Sequence, residues 1–352
     1  MYSTLVKYIL IKCIPILFNN TKVNKVYRVM EGINMSKAIP MYVECLKMGK
    51  PQAYKNMVVT PLLGTGSKLD YLVLDEALQK GLNVKETGNV GALQFQNNTG
   101  MEVLILQGEY FKGGYQNRMV ARNIYMAKDF EGKVPVNCVQ AGRWSTSVPK
   151  NFEGSGCRVS PKVYSSAVMG QSAVWDRVRG ISMSLDSFSN TQDYDEVSSK
   201  KINDVKDYSN KFTCPNNAVG IVVAVQNNGT PEYVADIFSS HKTLKKNFQK
   251  LINASALEAA ISGDKISDLD VKKFLQNIET AQYESRTPIS LGKDYRITSS
   301  EIEGSGLVFD ELPLYINIST KEQKSDPNPS DIIFGHTRYD TRTDFRRTRF
   351  GF

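Results

Sequence analysis

Histidine is almost missing from this chain: two in 352 residues, His241 and His336, the second inside a polar tail. That argues against histidine-dependent catalytic triads and histidine-rich metal centres. Cysteine is sparse too, with Cys13, Cys45, Cys138, Cys157 and Cys214 widely spaced, odd in number and never arranged C-x-x-C. Neither a disulfide framework nor a zinc cluster is expected, and a reducing, intracellular compartment fits best. No G-x-S-x-G, H-E-x-x-H or kinase set occurs, and "LLGTGSKLD" (Leu62 to Asp70) lacks the ending and glycine spacing of a phosphate loop. No metal or cofactor is expected.

Charge of one sign is also lacking. The formal net charge is +8, but 44 basic residues are interspersed with 36 acidic ones, which points away from nucleic acid and from membrane surfaces. A clean long apolar run is absent as well: the stretch from Leu5 to Phe18 is broken by Lys7, Lys12 and Pro15. It suits neither a membrane span nor a secretory signal. An ordered or partner-bound extension is the favoured reading of residues 1–40. A mitochondrial address and a start at Met35 stay open beside it.

What the chain does have is 41% hydrophobic residues and enough length to bury a large core. "MVVTPLLG" reads as a buried strand, and "LDYLVLDEALQKG" as a strand passing into a short helix that ends at Gly81. Two short strands are expected in "VKETGNVGALQFQN". Val103 to Leu106, Gln116 to Met126 and Val134 to Val139 read as three more. Ser182 to Phe212 is polar and weakly periodic, so it reads as a long surface connection with one exposed helix. "VGIVVAV", Asn228-Gly229 and "PEYVADIF" form a hairpin.

Helical spacing returns at Leu244, Phe248, Leu251, Ser255 and Ala259, with Lys242, Lys245, Lys246 and Lys250 on what should be a solvated face. A second helix is expected near Ser267, capped by Ser267 with Asp270 and stapled by Ile266 with Val271. Strands over Asp294 to Thr298 and Gly306 to Ile318 close the domain. The expected fold is α+β: a β-rich domain over 41–322, with two to four helices in its C-terminal half, flanked by extended termini. The last 18 residues carry five arginines and two aspartates among aromatics. In the tail 323–352, Arg338, Arg342, Phe345, Arg346, Arg347, Arg349, Phe350 and Phe352 are the residues that would dock along a protein partner, against the plainer reading of a disordered tail.

Polar groups concentrate inside apolar strands at two places. One holds Glu109, Gln116, Asn117 and Arg118 around the turn "KGG"; the other holds Cys138, Gln140, Arg143 and Trp144. The plain reading is an ion pair between Glu109 and Arg118 across the hairpin, with Arg143 stacked on a core Trp144. The functional reading is a pocket in which guanidinium forks and amides hold a phosphate or nucleotide. Cys138 is a poor nucleophile candidate without a nearby histidine.

"GEYFKGGYQNR" followed by "VPVNCVQAGRW" resembles the family of domains associated with ADP-ribosylglycohydrolases and rhodanese-phosphatases, whose pattern runs G-E-x-x-x-G-x-x-Q-N-R and then C-V-E-Q-G-R-W. "MGKPQAYKNMVVTPLL", "AVWDRV" and "VGIVVAV...VADIF" extend the likeness over Tyr42 to Thr320. The resemblance implies Glu109, Gln116, Asn117, Arg118, Cys138, Gly142, Arg143 and Trp144 as site candidates, with an ADP-ribose-like or nucleotide ligand. Two departures weaken catalysis: Gln140-Ala141 replaces the Glu-Gln pair, and Tyr315 stands where the family has histidine. The expectation is therefore a non-catalytic structural or interaction subunit, cytoplasmic or cytoskeletal, held by protein partners through both termini. The alternative is an enzyme or binding module using Gln116, Arg118 and Arg143.

Overall fold

The most apolar stretch of the chain, Val219 to Val225, is buried at every position, which requires a layer on each face of its sheet. The computed structural model describes residues 37–145, 151–187, 189–227, 229–263, 265 and 269–322. The chain enters through α1 (Ala38–Glu44), β1 (Lys47–Met48), β2 (Gln52–Tyr54), β3 (Met57–Leu63), β4 (Leu72–Val73) and α2 (Leu74–Lys80). Seven strands without a helix follow: β5 (Leu82–Asn89), β6 (Ala92–Asn97), β7 (Val103–Ile105), β8 (Glu109–Gly113), β9 (Arg118–Val120), β10 (Ile124–Met126) and β11 (Glu131–Cys138). Then come β12 (Phe152–Arg158), α3 (Pro161–Ser165), α4 (Gln171–Ser184), α5 (Tyr194–Ser199) and α6 (Ile202–Ser209). The last part holds β13 (Ala218–Asn227), β14 (Thr230–Phe238), α7 (His241–Ser262), α8 (Val271–Thr280), β15 (Gln282–Arg286), β16 (Lys293–Thr298), β17 (Ile302–Phe309) and β18 (Leu312–Thr320).

The largest sheet has nine strands in the order β1-β3-β13-β14-β18-β17-β16-β15, with β2 also paired to β3. A six-stranded sheet runs β12-β8-β9-β11-β6-β5, and a three-stranded one β10-β7-β4. Along β13, Ile221, Val223 and Val225 pack with Leu244 and Leu251 of α7. The alternate Val222 packs on the opposite face with Ile39 of α1 and Phe274 and Ile278 of α8. Strand period two delivers successive side chains to opposite layers, so a continuous apolar run is what a doubly covered strand needs. Each such side chain contributes about 1.5–3 kcal/mol by leaving water. The six-stranded sheet has its own core, in which Phe95, Phe111, Val120 and Val136 meet Leu74 and Ala77 of α2.

The α+β, β-rich reading holds, with eight α-helices among the described residues. Four begin in the C-terminal half and four lie earlier; of these α2, ending at Gly81, was expected, whereas α1, α3 and α4 were not. Ser182 to Phe212 is not a surface connection: Tyr194, Val197, Val205, Tyr208 and Phe212 are all buried in the main core. One aromatic or β-branched residue per helical turn sufficed there. Gly306 to Ile318 is two strands, β17 and β18, joined at Asp310 and Glu311, which both take left-handed backbone with φ of 47° and 64°. Gln116 to Met126 likewise splits into β9 and β10, which lie in different sheets.

Helix α7 begins at a Ser240 cap, whose Oγ accepts from Thr243 N–H at 3.2 Å. Helix α8 is capped by Asp270, which accepts from Lys273 N–H at 2.9 Å. The capping and staple roles expected of Ser267 and Ile266, the extension before residue 37 and the arginine-rich tail all lie outside the described residues. No helix among the described residues is long and apolar enough to cross a membrane.

Strands β17 and β18 approach so closely at Gly304 that a Cβ there would stand 2.1 Å from the Asn317 carbonyl oxygen and 2.8 Å from Ile318 Cα. Backbone on both sides cannot yield as a flexible side chain would. Gly304→Ala is expected to destabilise the fold by at least about 1–3 kcal/mol, the usual cost of overpacking, read from the midpoint of urea unfolding.

Candidate functional site

The hairpin β8–β9 pairs Tyr110 with Met119 and Phe111 with Arg118, leaving residues 114–117 to make the turn. Gly114 takes a φ of 50°, and a Cβ on it would fall 2.1 Å from the Phe152 ring, so no other residue fits there. Asn117 closes the turn from within, its Oδ1 accepting from Gly113 N–H at 3.1 Å. Its Nδ2 donates to the carboxylate of Asp193 at 3.0 Å. Burial pushes the Asp193 carboxyl above the ordinary range, against the opposing pull of that hydrogen bond.

The second motif locks onto the first. Arg143 donates from Nη1 to Gly114 O at 3.0 Å and from Nη2 to Gly113 O at 3.1 Å and Asn117 Oδ1 at 3.2 Å. Its Nε donates to Gln140 Oε1 at 2.7 Å. Gln140 Oε1 also accepts from Asn117 N–H at 3.2 Å, while its Nε2 donates to Thr191 Oγ1 at 3.2 Å. Gln116 Nε2 donates to the Gln140 carbonyl at 3.0 Å. Gly142 sits so close to Thr191 that a Cβ would lie 2.8 Å from its Cα. Arg143, Asn117 and Gln140 are thus spent on one another, on neighbouring side chains and on the turn backbone, while Gln116 is held through Nε2 alone and its buried Oε1 has no donor among the described residues. Gln140 needs both ends of its amide; a glutamate there would strengthen the bond to Arg143 and lose the donor to Thr191.

Arg118 and Cys138 face each other across β9 and β11. The Arg118 side chain is wholly buried; Nε donates to Val90 O at 3.1 Å, but Nη1 and Nη2 have no acceptor among the described residues. Burial pushes its pKa down. Trp144 covers it at 5.6 Å and is 45% exposed, so Trp144 is a lid rather than core and its guanidinium neighbour is Arg118, not Arg143. The Cys138 thiol donates to Gln140 O at 3.2 Å, and burial pushes its pKa up, which leaves it protonated and inert. A contributor with no signal in sequence is Gln171, whose side-chain amide exchanges two bonds of 2.7 Å with the Cys138 backbone as another strand would.

A family model for the ARG and Rhodanese-Phosphatase-superfamily-associated Protein (ARPP-1) domain matches residues 45–319. The chain belongs to this family. No curated protein and no solved structure matches the chain significantly.

In this ARPP-1 domain, Glu109 does not pair with Arg118. It is buried, accepts from Leu106 N–H at 2.7 Å through Oε2 and binds Lys250 Nζ of α7 through Oε1. Lys250 is buried too and reaches Asp75 at 2.9 Å, while Lys246 pairs with Glu76 at 2.6 Å and Lys242 with Asp70 at 2.7 Å. The lysine face read as solvated is solvated at Lys242 and Lys245 only; Lys246 and Lys250 reach the acidic first turn of α2, and Lys242 pairs at the surface with Asp70 ahead of β4. Burial opposes the charge of Lys250, but Glu109 and Asp75 overcome it and hold its pKa above the ordinary lysine value. Lys250 is then charged at neutral pH, and its contribution is lost only in alkali as its raised pKa is passed.

A further buried network lies on the large sheet. Arg158 Nη1 donates to Asp236 Oδ1 at 2.8 Å and stacks over the Tyr164 ring at 4.1 Å. Asp236 also accepts from the Tyr315 hydroxyl and from Asn317 Nδ2, the latter at 2.9 Å. Burial first, and then the Asp236 charge, keep the Tyr315 hydroxyl protonated against the opposing effect of Arg158. Tyr315 acts as a donor, a role that a neutral histidine would share with only one ring nitrogen. No group of three or more potential metal-ligating side chains occurs among the described residues.

Outside the motif, a cleft of about 280 Å³ between α4 and the β13–β14 hairpin is lined by Lys162, Arg177, Glu232 and Glu258. Glu258 Oε1 accepts from Lys162 N–H at 2.8 Å, and burial lifts its pKa to about 7 against the pull of Lys162.

Two outcomes are expected. Lys250→Met alone strands the buried Glu109 charge and costs about 3–5 kcal/mol in denaturant unfolding, whereas Lys250→Met with Glu109→Gln recovers most of it. Because Glu258 holds its proton more tightly folded than unfolded, its contribution is full below the unfolded value and disappears as pH rises through about 7. Glu258→Gln should therefore raise the unfolding midpoint relative to wild type at pH 8 and leave that difference small or absent at pH 4, measured by thermal melts across the range.

Proposed function

We propose that this ARPP-1 domain is a non-catalytic interaction module whose signature motif is a structural clamp. The supporting observation is that Arg143, Asn117 and Gln140 are engaged with one another and with the hairpin backbone, and that Gln116 is tied to the Gln140 carbonyl through Nε2. A catalytic or ligand site keeps such groups free for substrate, since a donor already satisfied must first be undone. The clamp presents one large exposed side chain, Trp144, braced edge-on against Tyr115 at 5.3 Å. A rigid aromatic held in this way is the kind of anchor that protein partners bury. The partner-docking role of the arginine and phenylalanine tail belongs to the same proposal.

One observation favours a second reading, a binding module for ADP-ribose-like or nucleotide ligands: the two Arg118 nitrogens without an acceptor, under Trp144. Calorimetric titration of the full chain with ADP-ribose and NAD separates the two. The module reading expects no saturable heat. It also expects Arg143→Gln to lower stability by about 2 kcal/mol, the cost of losing charge-assisted hydrogen bonds to partly buried acceptors. Partner capture should weaken in Trp144→Ser and on removal of residues 323–352. Saturable ADP-ribose binding that Arg118→Lys abolishes would replace the module reading with the second one.

A further inference from the structure

We propose that the cleft beside β16, β17 and β18 is a site for a phosphate-sized oxyanion, the head of a phosphorylated small molecule. The cavity measures about 50 Å³ and its lining includes Gln107, Tyr164, Arg286, Arg296, Ser305 and Asn317 together with the Glu303 carboxylate and Val168. A water takes roughly 10–15 Å³ of such space, so the cavity has room for about four oxygens, as one tetrahedral oxyanion carries.

Cross-strand register builds the floor. Arg296 faces Ser305, Ser305 faces Asn317, and Asn317 faces Asp236, a polar row running straight across four strands. Where such a row is buried, it is costly unless its groups are satisfied. At one end it is satisfied: Asp236 takes Arg158, Tyr315 and Asn317. At the other end donors are left over. The Arg286 Nε is buried without an acceptor among the described residues. Its Nη2 is pinned by Asp294 at 2.7 Å, and Asp294 is itself held by Arg122, so the guanidinium cannot swing away.

Arg296 has no hydrogen bond or ion pair among the described residues and is half-buried. The Ser305 hydroxyl accepts from Asn123 Nδ2 at 2.9 Å, which orients its own hydrogen elsewhere. The Tyr164 hydroxyl accepts from Asn317 at 3.3 Å and keeps its proton, because burial holds its pKa well above the ordinary tyrosine value. Arg286 keeps its Nε unspent although Asp294 holds its Nη2, and Arg296 and the Tyr164 and Ser305 hydroxyls line the same cavity, with the carboxylates of Glu303 in the lining and Glu284 opposite Arg296 on β15 as the opposing charges. Planar guanidinium forks with hydroxyls are the donor set that phosphate recognition uses. Val168, which lines the cavity and is 48% exposed, suits an organic body behind the phosphate.

This site shares no residue with the Arg143 clamp, so it stands whether or not the module reading does. The test titrates the full chain with inorganic phosphate and with phenyl phosphate, followed by calorimetry and by ³¹P line broadening. Saturable binding is expected, tighter for phenyl phosphate, and weakened about tenfold or more by Arg296→Gln or Ser305→Ala, each shown to be folded by circular dichroism. Lys201→Gln, in the open lysine-lined groove beside Tyr208, should leave it unchanged. In the wild type, phosphate should slow phenylglyoxal modification of Arg296, read by peptide mass spectrometry, which needs no variant. No saturable binding, an Arg296 modification rate indifferent to phosphate, binding that survives both substitutions, or acetate binding in preference to phosphate would each overturn the proposal.

Discussion

An ammonium group almost out of contact with water has to find anions, and Lys250 finds two. Glu109 meets it from the start of β8 and Asp75 from the first turn of α2, so one side chain ties the long helix, the six-stranded sheet and the short helix together. Taking a single charge into the interior costs several kcal/mol, and only close partners with further hydrogen bonds offset it. The Leu106 amide supplies such a bond to Glu109. The position of the β8–β9 hairpin, and of everything clamped onto it, follows from that constraint.

The clamp repeats the same logic with neutral partners. Arg143 reaches two carbonyls, an asparagine and a glutamine, and each of those acceptors belongs to the turn or to the loop that carries Arg143. A family motif is usually read as chemistry. Here most of its polar atoms hold a left-handed glycine turn and a loop in one geometry, while unspent donors remain at Arg118 beneath Trp144 and at the Arg286 and Arg296 end of the large sheet.

Much of the architecture was legible. Period-two alternation and β-branched runs marked β3, β13 and β14, and helical spacing marked α7. Local pattern failed at α5 and α6, where polar residues surround single buried aromatics such as Tyr194 and Tyr208. It failed again at Lys250, because a lysine on the solvent face of a helix and one aimed into a carboxylate nest have the same spacing. Gln116 and Asn117, read as the start of a strand, lie in the turn, and the expected partners differ as well: Glu109 was matched with Arg118 and Arg143 with Trp144, when the bonds run to Lys250 and to the hairpin backbone.

By itself the sequence determined what local forces decide: which stretches become strands or helices, the turn at Gly114, and membership of a family through motifs of fixed spacing. Only the tertiary structure decided which polar groups are satisfied. Residues as far apart as Arg296 and Asp236 join one row through strand register, and Lys250 reaches Glu109 across 141 positions of chain. A hydrogen bond or ion pair depends on ångström distances between side chains that sequence separation does not encode, and so does the difference between a spent donor and a free one.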